Sequence, residues 1–520
     1  MKTNIFKYIF FIIVVILICI AIYILYKDID KQKNDIQDNI IKFNIIKEMN
    51  IGITDYDTIN PVLSNNRDIQ YVNKLIFQPL LNITHDFKIE NLLTKEFSKI
   101  DSTTYIAKLR DDVYWHDGTK FTAKDVIFTV NNLKKDNINS IYKENVSTIN
   151  EIEQIDDYTI KILLKEEVPF FEYRMCFPIL ASHSYEPDTL NSKTSIPIGT
   201  GKYKIESIEE NLIKIALVDN KSESKIRNIN LVLKESINEL YNAFSKNEID
   251  YMITDNIEYE EYIGTMGYNL NQVTNREYEY LALNTEDTIL SNKEIRKAIS
   301  YAIDKKNINY NMYSNKYIES GFPLDYGSYL YNQNKLNEYN INETKRILSE
   351  NGWTYKNNTW KRNGKKLEFK LIVNSNNEKR VLLAEQIKEQ LKQVGIVINI
   401  IKVSDSSYTN YVKYKNYDMI LTGNIISTCP NLETYFGEDN LSNFSNEEIK
   451  NILKDVKNIN DVNVLTDKYS NIAQIYKEEM PFISLYSNSL FILSNNNLKG
   501  DLSCNWYNLF YNIDNWYKIQ

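Results

Sequence analysis

The chain has few of the residues that metal or covalent chemistry depends on: 3 His and 4 Cys in 520 residues. His85, His116 and His183 are far apart, and no H-E-x-x-H pairs two imidazoles on one helix face. Cys19, Cys176, Cys429 and Cys504 form no C-x-x-C, which excludes a zinc ribbon and a thioredoxin-like redox motif. There is no G-x-S-x-G nucleophile elbow and no Walker-type phosphate loop. A Ser–His–carboxylate site would have to be assembled from distant residues without any local motif, so the sequence predicts no catalytic residues, no metal ligands and no cofactor. Glycine (14) and proline (9) are scarce, which rules out collagen-like and Pro-rich linker classes. Lys+Arg (61) fall short of Asp+Glu (69), leaving a net charge of -8. A duplex-binding protein needs a basic face to displace counterions, so nucleic acid is not an expected partner.

What is present describes a folded protein. Hydrophobic residues make up 43% and charged residues 25%, and at roughly 100–200 residues per domain the length predicts two to four domains. Tyrosine is abundant at 39. Tyr suits surfaces that bury partners, but Asn, Ile and Lys are abundant too, and a biased composition explains the load equally.

The N-terminus carries an uncharged apolar run, Tyr8–Tyr26. At a helical rise of about 1.5 Å per residue it covers most of a ~30 Å hydrocarbon core. Lys2 and Lys7 precede it, so the positive-inside rule places residues 27–520 outside the cytoplasm. The run exceeds a signal-peptide core and no A-x-A-like site follows, which favours an uncleaved signal anchor over residues 1–26. A cleaved signal, or a lipoprotein cysteine at Cys19 behind the bulky Leu17-Ile18, remain the alternatives. Residues 27–44 are polar and charged and read as a stalk. Beyond the membrane Cys176, Cys429 and Cys504 allow at most one internal disulfide or three unpaired thiols.

The body mixes helices and strands. Thr122-x-x-Asp125 resembles a capping box ahead of an apolar stripe of Val126, Ile127, Val130 and Leu133. Ser291-x-x-Glu294 reads as a second, leading Ile295, Ile299, Ala302 and Ile303. A third helix is predicted over Glu378–Val394, closed by Gly395, with a strand Ile396–Val403 behind it. Asn342 and Gly352 frame a further short helix. Strands are predicted at Thr103–Leu109, Thr159–Leu164, Lys202–Ile208, Ile213–Val218 and Asn228–Leu233, each bounded by Asn, Asp or Gly. This is α/β architecture.

Several ordered stretches resemble the bacterial extracellular solute-binding proteins of family 5, the peptide- and nickel-binding proteins of ABC importers. The longest is 104–133, TYIAKLRDDVYWHDGTKFTAKDVIFTVNNL: a strand, a Trp-x-Asp-Gly turn and a helix. Asp57–Pro61 through Leu75–Leu80, the loop Pro197–Tyr203 (PIGTGKY), Asn284-Thr285 with Ser291–Asp304, Tyr417–Met419 and Met480–Tyr486 follow in family order. The resemblance implies a two-lobed periplasmic-binding-protein-like fold of three hinged domains with mixed sheets. One lobe would comprise 45–79, 190–275 and 485–520 with a domain inserted at 80–189; the other would be 276–484. The lobes would close on a ligand and present a surface to a membrane permease.

In peptide-binding members an Asp after the Tyr-Asp motif anchors the ligand's ammonium. The matching position here is Ile426 or Ser427, neither acidic, so a blocked peptide or another carboxylate such as Glu433 enters the picture. Thr422, Gly423 and Asn424 are cleft candidates, against the alternative of a solvent-facing strand end. Ser64–Asp68 is expected to form a loop near the cleft, making Asn65 and Arg67 candidates; Arg67 takes either a ligand carboxylate or a surface ion pair. Tyr486 lines a side-chain pocket or packs in the core. Trp115 and His116 belong to a turn that is structural in the family. The resemblance implies peptide capture for an ABC permease and ATPase, with a nickel-chelate binder and a ligand sensor signalling through a partner membrane protein as alternatives, and no enzyme.

Overall fold

The computed structural model describes Tyr23, Lys27 and residues 45–219, 221–331, 338–459 and 461–520. The rest of the Tyr8–Tyr26 run, Cys19 and the 28–44 part of the stalk lie outside these residues. Among the described residues no helix is long and apolar enough to cross a membrane.

An 11-stranded mixed sheet organises the α/β architecture. Ten strands run in order from Val397–Val403 through Glu368–Asn374, Met419–Ile425, Tyr268–Leu283, Phe482–Asn495, Tyr251–Thr254, Glu48–Ile53, Asn228–Leu233 and Leu212–Leu217 to Tyr203–Glu209, and the eleventh, Ile318–Glu319, pairs with Phe482–Asn495 off this path. Glu368–Asn374 and Val397–Val403 run parallel, as do Glu48–Ile53 and Asn228–Leu233. The antiparallel pair at the centre is long: 16 residues in Tyr268–Leu283 and 14 in Phe482–Asn495. One end of this pair extends toward Tyr251–Thr254, the other toward Met419–Ile425. The register breaks between Thr274 and Tyr278, and Arg276 there holds φ 69°. An extra residue in one strand bends it and raises its twist, so the central pair changes direction where it passes from one half of the sheet to the other.

Three main apolar cores hang on this frame. One gathers residues between Met49 and Phe77, Tyr203 and Ile253, and Leu490 and Trp516. A second lies largely between Leu80 and Tyr185, beside a separate four-stranded antiparallel sheet ordered Thr94–Lys99, Thr104–Leu109, Thr159–Leu164, Ile149–Asp156. The third, between Tyr278 and Tyr486, is called the far core below.

Local chemistry accounts for most elements. Asp125 accepts from the Thr122 N–H at 2.9 Å, opening the helix Ala123–Leu133. In Glu378–Gln393, Leu383, Ile387 and Leu391 are buried one turn apart. Gly395 follows at φ +86°, where a side chain would strike Tyr355 and the Asn358 carbonyl. Two predicted caps shift. The helix Lys293–Tyr301 is capped by Asn292, not Ser291, and Ile341–Glu350 by Asn340, not Asn342. In each case an Asn carboxamide reaches the first-turn N–H, and Asn is at least as good a cap as Ser.

Candidate functional site

The Trp115–Gly118 turn, the most specific motif, is part of the scaffold. Trp115 is buried and its indole N–H donates to Asp125 at 3.3 Å. The His116 N–H donates to the Gly199 carbonyl at 2.9 Å, and its ring nitrogens meet Gly201 O at 2.9 Å and the Gly199 N–H at 3.3 Å. That pattern requires Nε2–H as donor and a bare Nδ1 as acceptor, a neutral ring; burial accordingly holds its pKa below 6.5. The Pro197–Tyr203 loop lies in turn on the end of the helix Arg67–Ile76. A Cβ on Gly199 would sit 1.9 Å from the Ile76 carbonyl oxygen, so only glycine allows the approach. Two stretches that seem unrelated in sequence therefore clamp one helix end.

A narrow crevice of about 20 Å³, room for little more than a water molecule, opens where the far core meets the rest of the molecule. Phe87 and Tyr173 line it from one side, Leu324–Asp325 and the segment Ile426–Pro430 from the other, and Trp506 from the C-terminal tail. Asp325 is its buried carboxylate, 8% exposed. It accepts from Thr274 Oγ1 at 3.1 Å, from the Gly327 N–H at 3.1 Å and from the Trp506 indole N–H. Burial raises its pKa above the usual carboxylate range despite these bonds. Arg276 stands 4.3 Å over the Trp506 ring, and burial lowers its pKa. Asp325 and Trp506 line the crevice, and Arg276 lies behind the Trp506 ring, close enough for its charge to act on Asp325.

The predicted site residues are dispersed. Thr422, Gly423 and Asn424 lie inside the strand Met419–Ile425, opposite Tyr280, Glu279 and Tyr278. Thr422 is buried, and Asn424 donates to the Tyr280 hydroxyl at 3.3 Å. Gly423 leaves room for the bidentate Arg380–Glu279 pair, at 2.8 and 2.6 Å, which a Cβ would strike. The crevice is reached just beyond, at Ile426 and Ser427. Asn65 donates its backbone N–H to Asp57 at 2.6 Å. Arg67 is the first residue of a helix capped by Asn66, and it pairs with Asp68 and Asp255 at 3.1 and 3.2 Å. Tyr486 is fully buried, its hydroxyl donating to the Lys305 carbonyl at 2.7 Å. Glu433 lies 4.0 Å from Lys457. Cys176, Cys429 and Cys504 are free thiols. Among the described residues no cluster of His, Cys, Asp and Glu is placed to hold a metal ion.

Sequence reasoning missed Asp325, Arg276 and Trp506. The only signal was turn chemistry in Gly321–Gly327 and a Trp in the tail, neither tied to the other without coordinates.

Comparison with known proteins fits this picture. The family of bacterial extracellular solute-binding proteins, family 5 (middle), matches residues 88–443. The oligopeptide-binding protein AppA of Bacillus subtilis (strain 168) is 25% identical over 480 residues, covering 86% of this chain and 87% of AppA. The nickel-binding protein NikA of Staphylococcus aureus (strain NCTC 8325 / PS 47) is 22% identical over 429 residues, covering 79% of this chain and 83% of NikA. A crystal structure of a nickel ABC transporter from Bacillus halodurans superposes with a TM-score of 0.78 at 19% identity, covering 91% of this chain and 100% of that one.

Proposed function

This chain belongs to the bacterial extracellular solute-binding proteins of family 5, and on that premise we propose that it captures peptides or peptide-like solutes outside the cell for an ABC importer. The observation that carries the reading is the crevice at the bend of the central strands, with Asp325, Arg276 and Trp506 at one place. Residues 276–484 form one lobe; 45–79, 190–275 and 485–520, with 80–189 inserted, form the other. The separate apolar cores on either side of the bend support that division. The ligand's ammonium pairs with Asp325 in place of the acid missing at Ile426 and Ser427, and its carboxylate or backbone carbonyls face Arg276. Thr422–Asn424 brace the strand that delivers Ile426–Pro430 to the crevice. A ligand drives closure only by binding the closed state more tightly than the open one. The closed form presents its surface to a permease with its ATPase, and the Tyr8–Tyr26 run anchors the protein on the extracytoplasmic side.

The test is calorimetry of residues 45–520 against an oligopeptide library, with small-angle scattering to follow compaction. Binding that compacts the protein, and that weakens at least about tenfold in Asp325→Asn, supports the assignment. Failure of every peptide to bind removes it. The nickel-binding relatives favour one other reading, a nickel–chelate ligand in the same crevice. Nickel titration with and without small chelators decides between the two.

A further inference from the structure

A larger pocket, about 320 Å³, lies away from the crevice, beneath the C-terminal half of the helix Arg67–Ile76. That helix, the 78–178 region and the tail 507–514 enclose it. Lys74 enters it with its ammonium 3.5 Å from the centre of the Tyr507 ring. Among the described residues no carboxylate comes close enough to pair with it; the charges that bear on it are Arg276, which repels, and the Cys176 thiol. At the preceding position Asn73 is 3% exposed, and among the described residues neither polar atom of its carboxamide has a hydrogen-bond partner. Withdrawing an ammonium partly from water without an anion, and burying an unpaired amide at the next position, are both costly. A partner that is not part of this chain relieves both at once.

We propose that this pocket is a second ligand site that binds a small monocarboxylate with an apolar or aromatic body. One carboxylate oxygen accepts from Lys74 Nζ and the other from Asn73 Nδ2, a charge-assisted pair of bonds. Tyr142, Phe510 and Ile513 supply the apolar wall for the body of the ligand. Charge sets the class. Lys202, the other cation of the lining, is already paired with Asp514, leaving one free positive charge for one negative charge. The pocket is lined wholly from the side of the bend opposite the far core and shares no lining residue with the crevice.

The experiment titrates the full chain with 3-phenylpropionate, isovalerate and the uncharged 3-phenylpropionamide, by calorimetry and by thermal unfolding. The acids are expected to bind and to raise the melting temperature, and the amide to bind at least about tenfold more weakly. Lys74→Met should abolish acid binding while leaving peptide binding in the crevice unchanged, and Lys74→Arg should restore it. Circular dichroism establishes that Lys74→Met is folded; if it is not, the acid-against-amide comparison on the unmodified chain decides alone. The proposal is overturned if neither acid binds, if acid and amide bind alike, or if folded Lys74→Met binds the acids as the parent does.

Discussion

Arg296 and Lys74 are both cations withdrawn from water on helices, and the fold treats them in opposite ways. Arg296, 2% exposed, donates to the carbonyls of Leu290 at 2.7 Å, Glu479 at 2.9 Å and Met480 at 3.1 Å, and also reaches the Glu479 carboxylate. It joins the turn before its own helix to the end of the helix Val462–Glu479. Burial still lowers its pKa to about 10, but its hydrogen-bonding capacity is used. Lys74 has an aromatic face and, among the described residues, no anion. The difference teaches how to sort buried charges. One whose donors are all engaged by the chain serves the scaffold; one left open is available to a ligand.

The sharpest way to break this comparison is to remove both charges in turn. Arg296→Met should destabilise by about 3–5 kcal/mol, because it strands buried carbonyls and the Glu479 carboxylate; urea unfolding measures it, and a loss below about 1 kcal/mol would erase the distinction. Lys74→Met should act with the opposite sign, stabilising by up to about 1 kcal/mol at neutral pH, since it deletes a half-buried ammonium that meets no anion among the described residues. The pH dependence sharpens this second prediction. The Lys74 pKa falls from 10.5 to about 8 on folding, so the penalty is complete below pH 8. It shrinks as pH rises from 8 and is gone above 10.5, so the two proteins should converge in stability in alkaline buffer.

A smaller effect is expected at His116, whose ring is held neutral as acceptor and donor between Gly199 and Gly201. Its pKa is lowered on folding, so its contribution is intact above pH 6.5 and is lost as pH falls through that value. His116→Ala should remove this acid-dependent part of the stability, seen as a flatter dependence of the melting temperature on pH below 6.5. The smallest effect belongs to Arg67, whose ion partners are Asp68 and the exposed Asp255. Arg67→Ala should change stability by no more than about 0.5 kcal/mol. A larger loss would place Arg67 with Arg296 among the scaffold cations.

Much of the fold was legible because its signals are local. Leu383, Ile387 and Leu391 repeat at helical spacing, Gly395 supplies the left-handed cap, and β-branched residues fill Val397–Val403. The family motifs were legible too, yet they turned out to mark closely packed backbone. Gly199 against the Ile76 carbonyl and Arg296 against Glu479 are packing constraints. The crevice was less legible. Thr422–Asn424 lie on the strand that runs up to the crevice, but an alternating strand shows which residues share a face and not where its neighbours end. Asp325 and Trp506 lie far apart in the chain and carry no pattern that pairs them.

The amino-acid sequence by itself determined the α/β class, the order of helices and strands over most of the body, the absence of metal and nucleophile motifs, and the family. Each follows from periodicity, capping and turn chemistry within a few residues, or from motif order along the chain. Only the tertiary structure decided that His116 closes on Gly199, that Asp325 meets Trp506 with Arg276 behind it, and that Lys74 is half-buried with no anion among the described residues. Desolvation and charge pairing depend on what surrounds a group in space, and segments from all along the chain supply those surroundings.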